Sequence, residues 1–448
     1  KGKIIHKTSG TVENMPKIKK ILLNLSTLLI TLIICFFILE LAVRLIGYTD
    51  KTGQFYFGDK KIRPYTSIAE SDTQKIDYFV NNSQDLYLDY DPILGWDIRP
   101  DYTYATLYKS NSAGIRSPKE FPIKKNKSKT RIALFGDSFV HGDEVYYNQT
   151  WSYFLEKELQ KQEKNIEVIN FGVPAYGNDQ AYLRYKNFGK KYNPDIVIIG
   201  FQCENFERNV NLFRLFYYEE ETLLPLSKPR YIFKDYTLDI INQPPIRPDN
   251  LTTIIFNNPE FFSKYDYFFQ EQNEKPVYKI LLKSRLLGLL ITSLSETNNQ
   301  FLTNHRVFSK IIENMKLPTN KNYYTNKTKN FYSINNEPAQ LGIRILNKFT
   351  NEVESERSEV FLLHLPKLSD ITDTLNGRKL EYQDIYNNLS TDHSLIDPLK
   401  DLVNLTEQIP VQELVVEFHY SEKSNEIVGK KLADELIKKS KIINTNEK

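Results

Sequence analysis

The first clear pattern along the chain is a long apolar segment near its N-terminus. Residues 21–39 read ILLNLSTLLITLIICFFIL without a charged side chain, and apolar residues continue to Ile46. At about 1.5 Å per helical residue, such a segment nearly crosses a hydrocarbon core roughly 30 Å thick. A cleaved signal peptide would have a shorter apolar region ending in small residues at a cleavage site, and no such site follows here. The pattern predicts a transmembrane anchor over residues 21–46.

The charges on either side of this segment predict its orientation. Lysines are frequent in residues 1–20, whereas the basic residues just after the segment, Arg44 and Lys51, are offset by neighbouring acidic residues. Because Lys and Arg collect on the cytosolic side of a membrane span, the basic N-terminus is expected in the cytosol. The chain from about Gly47 onward would then lie outside the cytoplasmic membrane. Met15 is a candidate start, which would make the residues before it an upstream extension.

The periodicity of the remaining chain predicts an extension followed by an α/β domain. Residues 47–125 carry frequent Asp, Tyr, Pro and Gly, which predicts short strands and turns in a membrane-proximal extension. Within residues 126–448, short apolar strands alternate with amphipathic helices, so a parallel sheet with right-handed crossovers is expected. The alternation breaks at about residues 208–338, which we interpret as an insertion with one amphipathic helix near residues 280–294. The predicted strands cover residues 132–135, 166–169, 195–201, 359–365 and 414–418.

Polar residues follow the predicted strands at the edge where a parallel sheet collects ligands. They are Gly136-Asp137-Ser138 after the first strand, Asn170, Ala175 and Gly177 after the second, Asn205 after the third, and Glu417 with His419 at the last. A serine hydroxyl becomes a good nucleophile when a base accepts its proton and an acid orients that base. We therefore predict Ser138 as the nucleophile, His419 as the base and Glu417 as the acid.

An oxyanion formed by attack of this serine needs preset hydrogen-bond donors. The backbone N–H groups of Ser138 and Ala175 and the side chain of Asn205 are the candidates. A second set of residues is expected to border the pocket, namely Asp137, His141, Asn170 and Gly177. Of these, Asp137 is expected to stabilise the turn and not to take part in the chemistry. Among the other histidines, His393 is the strongest alternative base because it follows Asp392.

These segments resemble the SGNH/GDSL hydrolase superfamily over about residues 130–435. The similar blocks are RIALFGDSFVHG, EVINFGVPAYGNDQ, IIGFQCENFERN and EFHYSEKSNEIVGKKLADEL, with Ala175 where a glycine is usual and Glu417 in place of Asp. The resemblance implies an α/β three-layer sandwich around a central parallel sheet, with serine esterase chemistry. LGWDIRP and NSAGIRS also resemble the extension of membrane-anchored SGNH proteins. Some of those proteins act on O-acyl groups of cell-envelope polymers, or work beside polytopic membrane O-acyltransferases.

Composition narrows the partners and cofactors. The 59 basic and 56 acidic residues give a net charge of +3, which is no reason to expect a nucleic-acid partner. Of the two cysteines, Cys35 lies in the apolar segment, so a disulfide with Cys203 is not expected. The sequence has no cysteine cluster or histidine spacing typical of a metal site, and we predict neither metal nor cofactor.

Three functions are compatible with these patterns. The first is an extracytoplasmic serine esterase or deacetylase that acts on O-acyl groups, with the lipid bilayer and an acylated envelope polymer as its partners. The second is transfer of an O-acyl group to a polymer through the same serine, working with a polytopic membrane acyltransferase. The third is a scaffold or polymer-binding protein that keeps the fold without catalysis.

Overall fold

The computed structural model describes residues 17–49, 55–62, 70–162, 165–217, 224–235, 237–257, 259–269, 284–296 and 331–445. These residues belong to two compact units, one within residues 1–70 and 275–319, and the other within residues 71–274 and 320–448.

The described helices are α1 (Lys17–Ile46), α2 (Glu70–Asn82), α3 (Ser138–His141), α4 (Trp151–Lys161), α5 (Asn178–Asn187), α6 (Cys203–Asn209), α7 (Arg214–Tyr217), α8 (Pro248–Asn257), α9 (Pro259–Tyr265), α10 (Arg285–Glu296), α11 (Glu337–Ser355), α12 (Leu368–Leu375), α13 (Gln383–Asp392), α14 (Leu399–Leu405), α15 (Glu422–Lys439) and α16 (Lys441–Thr445). The described strands are β1 (Tyr48–Thr49), β2 (Phe55–Phe57), β3 (Lys60–Lys61), β4 (Leu88–Asp91), β5 (Gly95–Ile98), β6 (Thr103–Tyr104), β7 (Tyr108–Lys109), β8 (Thr130–Phe135), β9 (Ile166–Asn170), β10 (Ile196–Phe201), β11 (Arg230–Lys234), β12 (Thr237–Ile241), β13 (Glu359–His364), β14 (Leu395–Ile396), β15 (Val415–Val416) and β16 (His419–Tyr420).

The first unit contains the long apolar helix α1. Its segment Lys19–Ile46 is long and apolar enough to cross a membrane. Most of its apolar side chains are exposed, although Val43 is buried in a small cluster. This confirms the prediction of an N-terminal apolar helix, which has the properties of a single-pass anchor or a signal sequence. In the same unit, the Glu40 carboxylate accepts backbone N–H bonds of 2.9 and 2.8 Å from Arg285 and Leu286 at the start of α10. An acidic side chain is favourable at a helix N-terminus, where backbone N–H groups lack helical partners.

The second unit is built on a five-stranded sheet in the order β14-β13-β10-β8-β9, with every neighbouring pair parallel. All residues of β8, β9 and β10 are buried, as expected for strands covered by helices on both faces. The predicted fold class, α/β with a central parallel sheet, is therefore confirmed.

Neighbouring residues of β8 point to opposite faces of the sheet. Leu134 belongs to the core that packs on α4, α14 and α15, together with Trp151 and Leu432. Phe135 instead packs on the other face, with ring centroids 5.4 Å from Tyr185 in α5 and 5.9 Å from Phe349 in α11. This alternation places helices on both sides of the sheet and so produces the three layers.

Two predictions about secondary structure are wrong. Residues 414–418 do not form a strand of the sheet, because Val415–Val416 pairs antiparallel with His419–Tyr420 in a small hairpin, and the edge strand is Leu395–Ile396. A helix, Glu70–Asn82, lies where strands and turns were expected. Its polar sequence concealed a narrow apolar face that includes the buried residues Ile76 and Phe79.

Residues 71–125 lie in the same compact unit as the sheet, although the sequence assigns them to the extension. Trp96 in β5 shows how closely the two are joined, because its Nε1 donates a 3.0 Å hydrogen bond to the Pro174 carbonyl. The exact domain boundaries remain predictions.

Candidate active site

Strand β8 ends in a tight turn that carries Ser138. At Gly136, a Cβ atom would lie 2.4 Å from Val140 Cγ2, so glycine is required for the close approach of the turn to α3. Asp137 is the N-cap residue of α3, and its Oδ1 accepts a 3.0 Å hydrogen bond from the Phe139 backbone N–H. The turn therefore places Ser138 in the first turn of a short helix, at the carboxyl end of a central strand.

The other carboxylate oxygen of Asp137 ties this turn to α6. Oδ2 accepts hydrogen bonds from Gln202 Nε2 at 3.0 Å, Asn205 Nδ2 at 2.9 Å and Arg208 Nη1 at 2.8 Å. A buried carboxylate is costly unless donors satisfy its lone pairs. Asp137 is only 1% exposed, so it does not line a pocket, and its contacts fit the expected role of stabilising the nucleophile turn.

The hydroxyl of Ser138 is hydrogen-bonded to His419. Ser138 Oγ lies 2.8 Å from His419 Nε2, although 281 positions separate the two residues. His419 begins β16, and its ring packs on that of Phe139 with 5.0 Å between centroids. The structure thus brings together the predicted nucleophile and the predicted base.

The carboxylate beside His419 belongs to Glu144 and not to Glu417, which corrects the predicted acid. Glu144 Oε1 lies 2.7 Å from His419 Nδ1, and Glu144 Oε2 accepts backbone N–H bonds of 2.9 Å from Phe418 and His419. Glu417 is exposed in the turn between β15 and β16, with φ of 43°. A residue in so tight a turn is poorly placed to reach the ring of a base two positions later, whereas Glu144 approaches from the nucleophile's own loop.

Sequence reasoning missed Glu144 because 275 positions separate it from His419. The available signal was the acidic pair Asp143-Glu144, directly after the helix that carries Ser138. The resemblance implies an acid beside the base, whereas in this structure the acid follows the nucleophile.

The environment of His419 favours its charged form. Burial alone would lower the pKa of His419, but the hydrogen bond to Glu144 and the negative charges of Asp143 and Glu144 outweigh this effect and raise it. Because Nδ1 faces a carboxylate, it is assigned as the protonated nitrogen of the neutral ring, which leaves Nε2 to accept the hydroxyl proton of Ser138.

His141 is fully buried and forms a separate pair with Asp143, whose side chain is partly exposed. Its Nδ1 contacts Asp143 Oδ1, and its Nε2 lies 2.9 Å from the Tyr87 hydroxyl. Burial lowers the pKa of His141 to about 4, despite the opposing charge of Asp143. His141 was predicted to border the pocket, but with 0% exposure it is a neutral part of the core beneath the loop.

Asn170 and Gly177 also support the site without lining it. Asn170 Nδ2 donates a 2.7 Å hydrogen bond to the Val140 carbonyl, and its Oδ1 accepts one of 2.9 Å from the Gly172 N–H. At Gly177, a Cβ atom would lie 2.6 Å from Asp179 Oδ1. Asn170 therefore braces α3 from strand β9, and the close packing at Gly177 explains why a glycine directly precedes α5.

Two backbone N–H groups are available to stabilise an oxyanion. Within the described part of the chain, neither the Ser138 nor the Ala175 N–H donates a hydrogen bond to another protein group. Ala175 has φ of 69°, a left-handed conformation that costs roughly 1–2 kcal/mol for a residue with Cβ. The Trp96 hydrogen bond to the preceding Pro174 helps to hold this loop.

The side chain of Asn205 is fully engaged, which does not fit its predicted role as an oxyanion donor. Its Nδ2 donates to Asp137 Oδ2 at 2.9 Å and to the Tyr176 carbonyl at 3.1 Å, and its Oδ1 accepts the Gln202 N–H at 2.8 Å. Both amide hydrogens are therefore used. Asn205 connects the nucleophile turn to the loop that carries Ala175.

The alternative base, His393, is not the histidine bonded to Ser138. Its Nε2 lies 2.7 Å from Asn347 Oδ1. Among the described residues, no group of three His, Cys, Asp or Glu side chains is arranged to hold a metal ion. Cys203 is buried, and burial raises the pKa of its thiol, so it is a poor nucleophile.

Comparison with known proteins finds similarity in solved structures. No protein-family model matches the chain, and no curated protein matches it. One similar structure is a lipolytic G-D-S-L family protein from Veillonella parvula, at 11% identity and TM-score 0.34, covering 69% of this chain and 99% of that one. Another is the lipase/acylhydrolase from Enterococcus faecalis, at 12% identity and TM-score 0.31, covering 68% and 95%. A third is the acetyl xylan esterase AlAXEase, at 12% identity and TM-score 0.34, covering 68% and 100%.

The first of these is described as a G-D-S-L family protein, which is the family that the sequence blocks resemble. At this level of identity and TM-score, the three structures do not assign an activity to the chain. The functional proposal below therefore rests on the side chains of this site.

The assignment of the acid predicts opposite results for two charge-removing substitutions. We expect Glu144→Gln to lower kcat by roughly 10²- to 10⁴-fold, because the carboxylate orients His419 and stabilises its charged form. Glu417→Gln should leave kcat within about 2-fold, since this side chain is exposed and remote from Nδ1. Steady-state hydrolysis of an aryl acetate measures both. A large loss in Glu417→Gln with little change in Glu144→Gln would restore the original assignment.

The contacts of Asn205 predict a loss of stability on its removal. Asn205→Ala should lower the free energy of unfolding by about 1–3 kcal/mol, because Asp137 and the Tyr176 carbonyl each lose a buried donor. Denaturant unfolding of the purified chain measures this change. An unchanged midpoint combined with a fall in kcat would show instead that the amide acts on the reacting group.

Proposed function

We propose that this protein is a membrane-anchored serine esterase or deacetylase that acts on O-acyl groups outside the cytoplasmic membrane. The observation that carries the proposal is the hydrogen-bonded chain from Ser138 Oγ through His419 to Glu144, with distances of 2.8 and 2.7 Å. Such a chain activates a serine hydroxyl for attack on an ester. The apolar helix α1 supports the anchor, and the lysines before it support a cytosolic N-terminus.

The reaction follows from the positions of these groups. As Ser138 Oγ attacks the carbonyl carbon of the ester, His419 Nε2 takes the hydroxyl proton. The resulting imidazolium is stabilised by Glu144, and the oxyanion of the tetrahedral intermediate is stabilised by the N–H groups of Ser138 and Ala175. His419 then gives the proton to the departing alkoxide, so that the alcohol leaves and Ser138 remains acylated.

Water completes the cycle. His419, neutral again, removes a proton from a water molecule as its oxygen attacks the acyl carbon. The second tetrahedral intermediate collapses, His419 returns the proton to Ser138 Oγ, and the carboxylic acid is released. If a sugar hydroxyl replaces water, the same steps transfer the acyl group to that sugar.

An exposed aromatic residue beside the proposed base supports a polymeric substrate. Phe418 is 67% exposed, while its backbone N–H is bound to Glu144. An exposed aromatic ring next to a site offers a large apolar face on which a ligand can pack. We propose that Phe418 contacts a sugar ring of an envelope polymer that carries the O-acyl group.

The first test is covalent labelling of the serine. The purified full chain should react with a serine-directed fluorophosphonate, because this probe requires an activated serine hydroxyl. Ser138→Ala should abolish labelling, whereas Ser152→Ala, which alters another buried serine, should retain it. Equal labelling of wild type and Ser138→Ala, located by mass spectrometry at another residue, would contradict the proposal.

The polymeric substrate predicts a selective effect of Phe418→Ala. We expect KM for a soluble O-acetylated polysaccharide to rise about 3- to 10-fold, in line with the loss of one ring contact. Activity on p-nitrophenyl acetate should change less than about 2-fold. Phe233→Ala, on the β11–β12 hairpin, removes another exposed ring and should affect neither substrate.

Equal losses on the polysaccharide and on p-nitrophenyl acetate would mean that Phe418 supports the site and does not select a polymer. The same assay separates hydrolysis from transfer. Acetate release that does not depend on the concentration of an added sugar acceptor indicates hydrolysis, whereas acetylated acceptor indicates transfer.

A further inference from the structure

The loop that carries Glu144 has an unusual backbone conformation. Gly142 and Glu144 have φ of 83° and 69°, so two residues of this short loop are left-handed. For Glu144 this conformation is costly because of its Cβ atom, and it persists only if the surroundings enforce it. The side chain that orients His419 thus depends on contacts that hold the loop.

Those contacts come from Arg116, which is only 1% exposed. Its Nη1 donates to the His141 carbonyl at 2.6 Å and also to the Gly142 carbonyl, and its Nη2 donates to the Val145 carbonyl. These three carbonyls lie on both sides of Glu144 along the chain. The planar guanidinium group can bind them together because its donors are held in a fixed fork.

Tyr108, which lies near Arg116 in the sequence, also contacts the loop that carries Glu144. The guanidinium carbon of Arg116 lies 4.6 Å from the centre of the Tyr108 ring, and the Tyr108 hydroxyl accepts a 2.7 Å hydrogen bond from the Glu144 N–H. Arg116 and Tyr108 therefore fix the backbone of Glu144 from one side. On the other side, the N–H groups of Phe418 and His419 fix its carboxylate.

We propose that Arg116 is a positioning residue, which aligns Glu144 with His419 by holding the 141–145 loop in its left-handed conformation. This inference deepens the proposed function and rests on it. Tyr108 and Arg116, which the sequence places in the membrane-proximal extension, thus take part in positioning the site.

A simpler explanation is that Arg116 only neutralises the carboxylate of Asp143. In the described structure, however, the guanidinium hydrogen bonds go to carbonyl groups, and no ion pair joins Arg116 to Asp143. The carboxylate of Asp143 is instead bound to His141. Neutralising Asp143 would not require Arg116 to bind three backbone carbonyls of the loop, two before Glu144 and one after it.

The protonation of His419 distinguishes the two explanations. The charged groups near His419 are Asp137 and the loop carboxylates Asp143 and Glu144, while His141 is neutral at ordinary pH. Of these, Glu144 alone is hydrogen-bonded to the ring and raises its pKa through that bond. A displaced Glu144 should therefore lower the pKa of His419, whereas a general loss of stability should not.

The test is an NMR titration of the His419 imidazole in the full chain, in wild type, Arg116→Lys and Glu144→Gln. Lysine keeps the positive charge but lacks the fork of donors. We expect the pKa of His419 to fall in Arg116→Lys towards its value in Glu144→Gln, and kcat to fall about 10- to 100-fold with KM changed less than 3-fold.

Two further variants keep the test decisive. Arg131→Lys alters another fully buried arginine with carbonyl ligands, at the start of β8, and should lower stability without moving the pKa of His419. If Arg116→Lys does not fold, Tyr108→Phe removes the acceptor of the Glu144 N–H and should shift the pKa of His419 in the same direction.

An unchanged pKa of His419 in folded Arg116→Lys, or in Tyr108→Phe if only that variant folds, would overturn the positioning role. The titration reads His419 directly, so its outcome does not depend on turnover. A wild-type chain without Ser138-dependent hydrolysis or labelling would instead contradict the proposed function, while the shift in pKa could still be observed.

Discussion

The bond between Glu144 and His419 is the contact on which the candidate site depends. The Glu144 carboxylate joins the loop after Ser138 to the β15–β16 hairpin. The same loop is held by Arg116 and Tyr108, which belong to the segment before the sheet. The carboxylate both binds the imidazole and holds the two backbone N–H groups that place the ring. Without it, His419 would keep its position in sequence but would lose the orientation that directs Nε2 at the serine.

A second carboxylate, that of Asp137, holds the turn that carries the nucleophile Ser138. The Asp137 carboxylate accepts four hydrogen bonds, two of them from α6 and one from Gln202 just before that helix, and so fixes the turn at the end of β8 against the segment that follows β10. Asn205 and Arg208 also bind the Tyr176 carbonyl, next to Ala175. The nucleophile turn and the second oxyanion donor are thus connected through the same two side chains, which explains how a strained alanine can be kept in place.

The parts of the site that are local in sequence could be predicted, and those that depend on distant contacts could not. Ser138 was recognisable because a turn motif follows an apolar strand, and His419 because it precedes an amphipathic helix. Glu144 was missed because nothing near His419 in sequence points to a loop 275 positions earlier. The central sheet was predictable from its apolar runs, whereas the hairpin at 415–420 was mistaken for a sheet strand because both have short apolar stretches. The role of Asn205 depended on whether its donors were free, which only the three-dimensional contacts decide.

We propose that Ser138, His419 and Glu144 form one reactive unit, with the Ser138 and Ala175 N–H groups as oxyanion donors. A crystal structure of the chain after reaction with a fluorophosphonate tests this proposal most directly. We expect phosphorus bonded to Ser138 Oγ, its phosphoryl oxygen within about 3 Å of both N–H groups, and Glu144 still bound to His419 Nδ1. An adduct whose oxygen is bound by Asn205 in place of Ala175, or a His419 ring paired with Glu417, would contradict it.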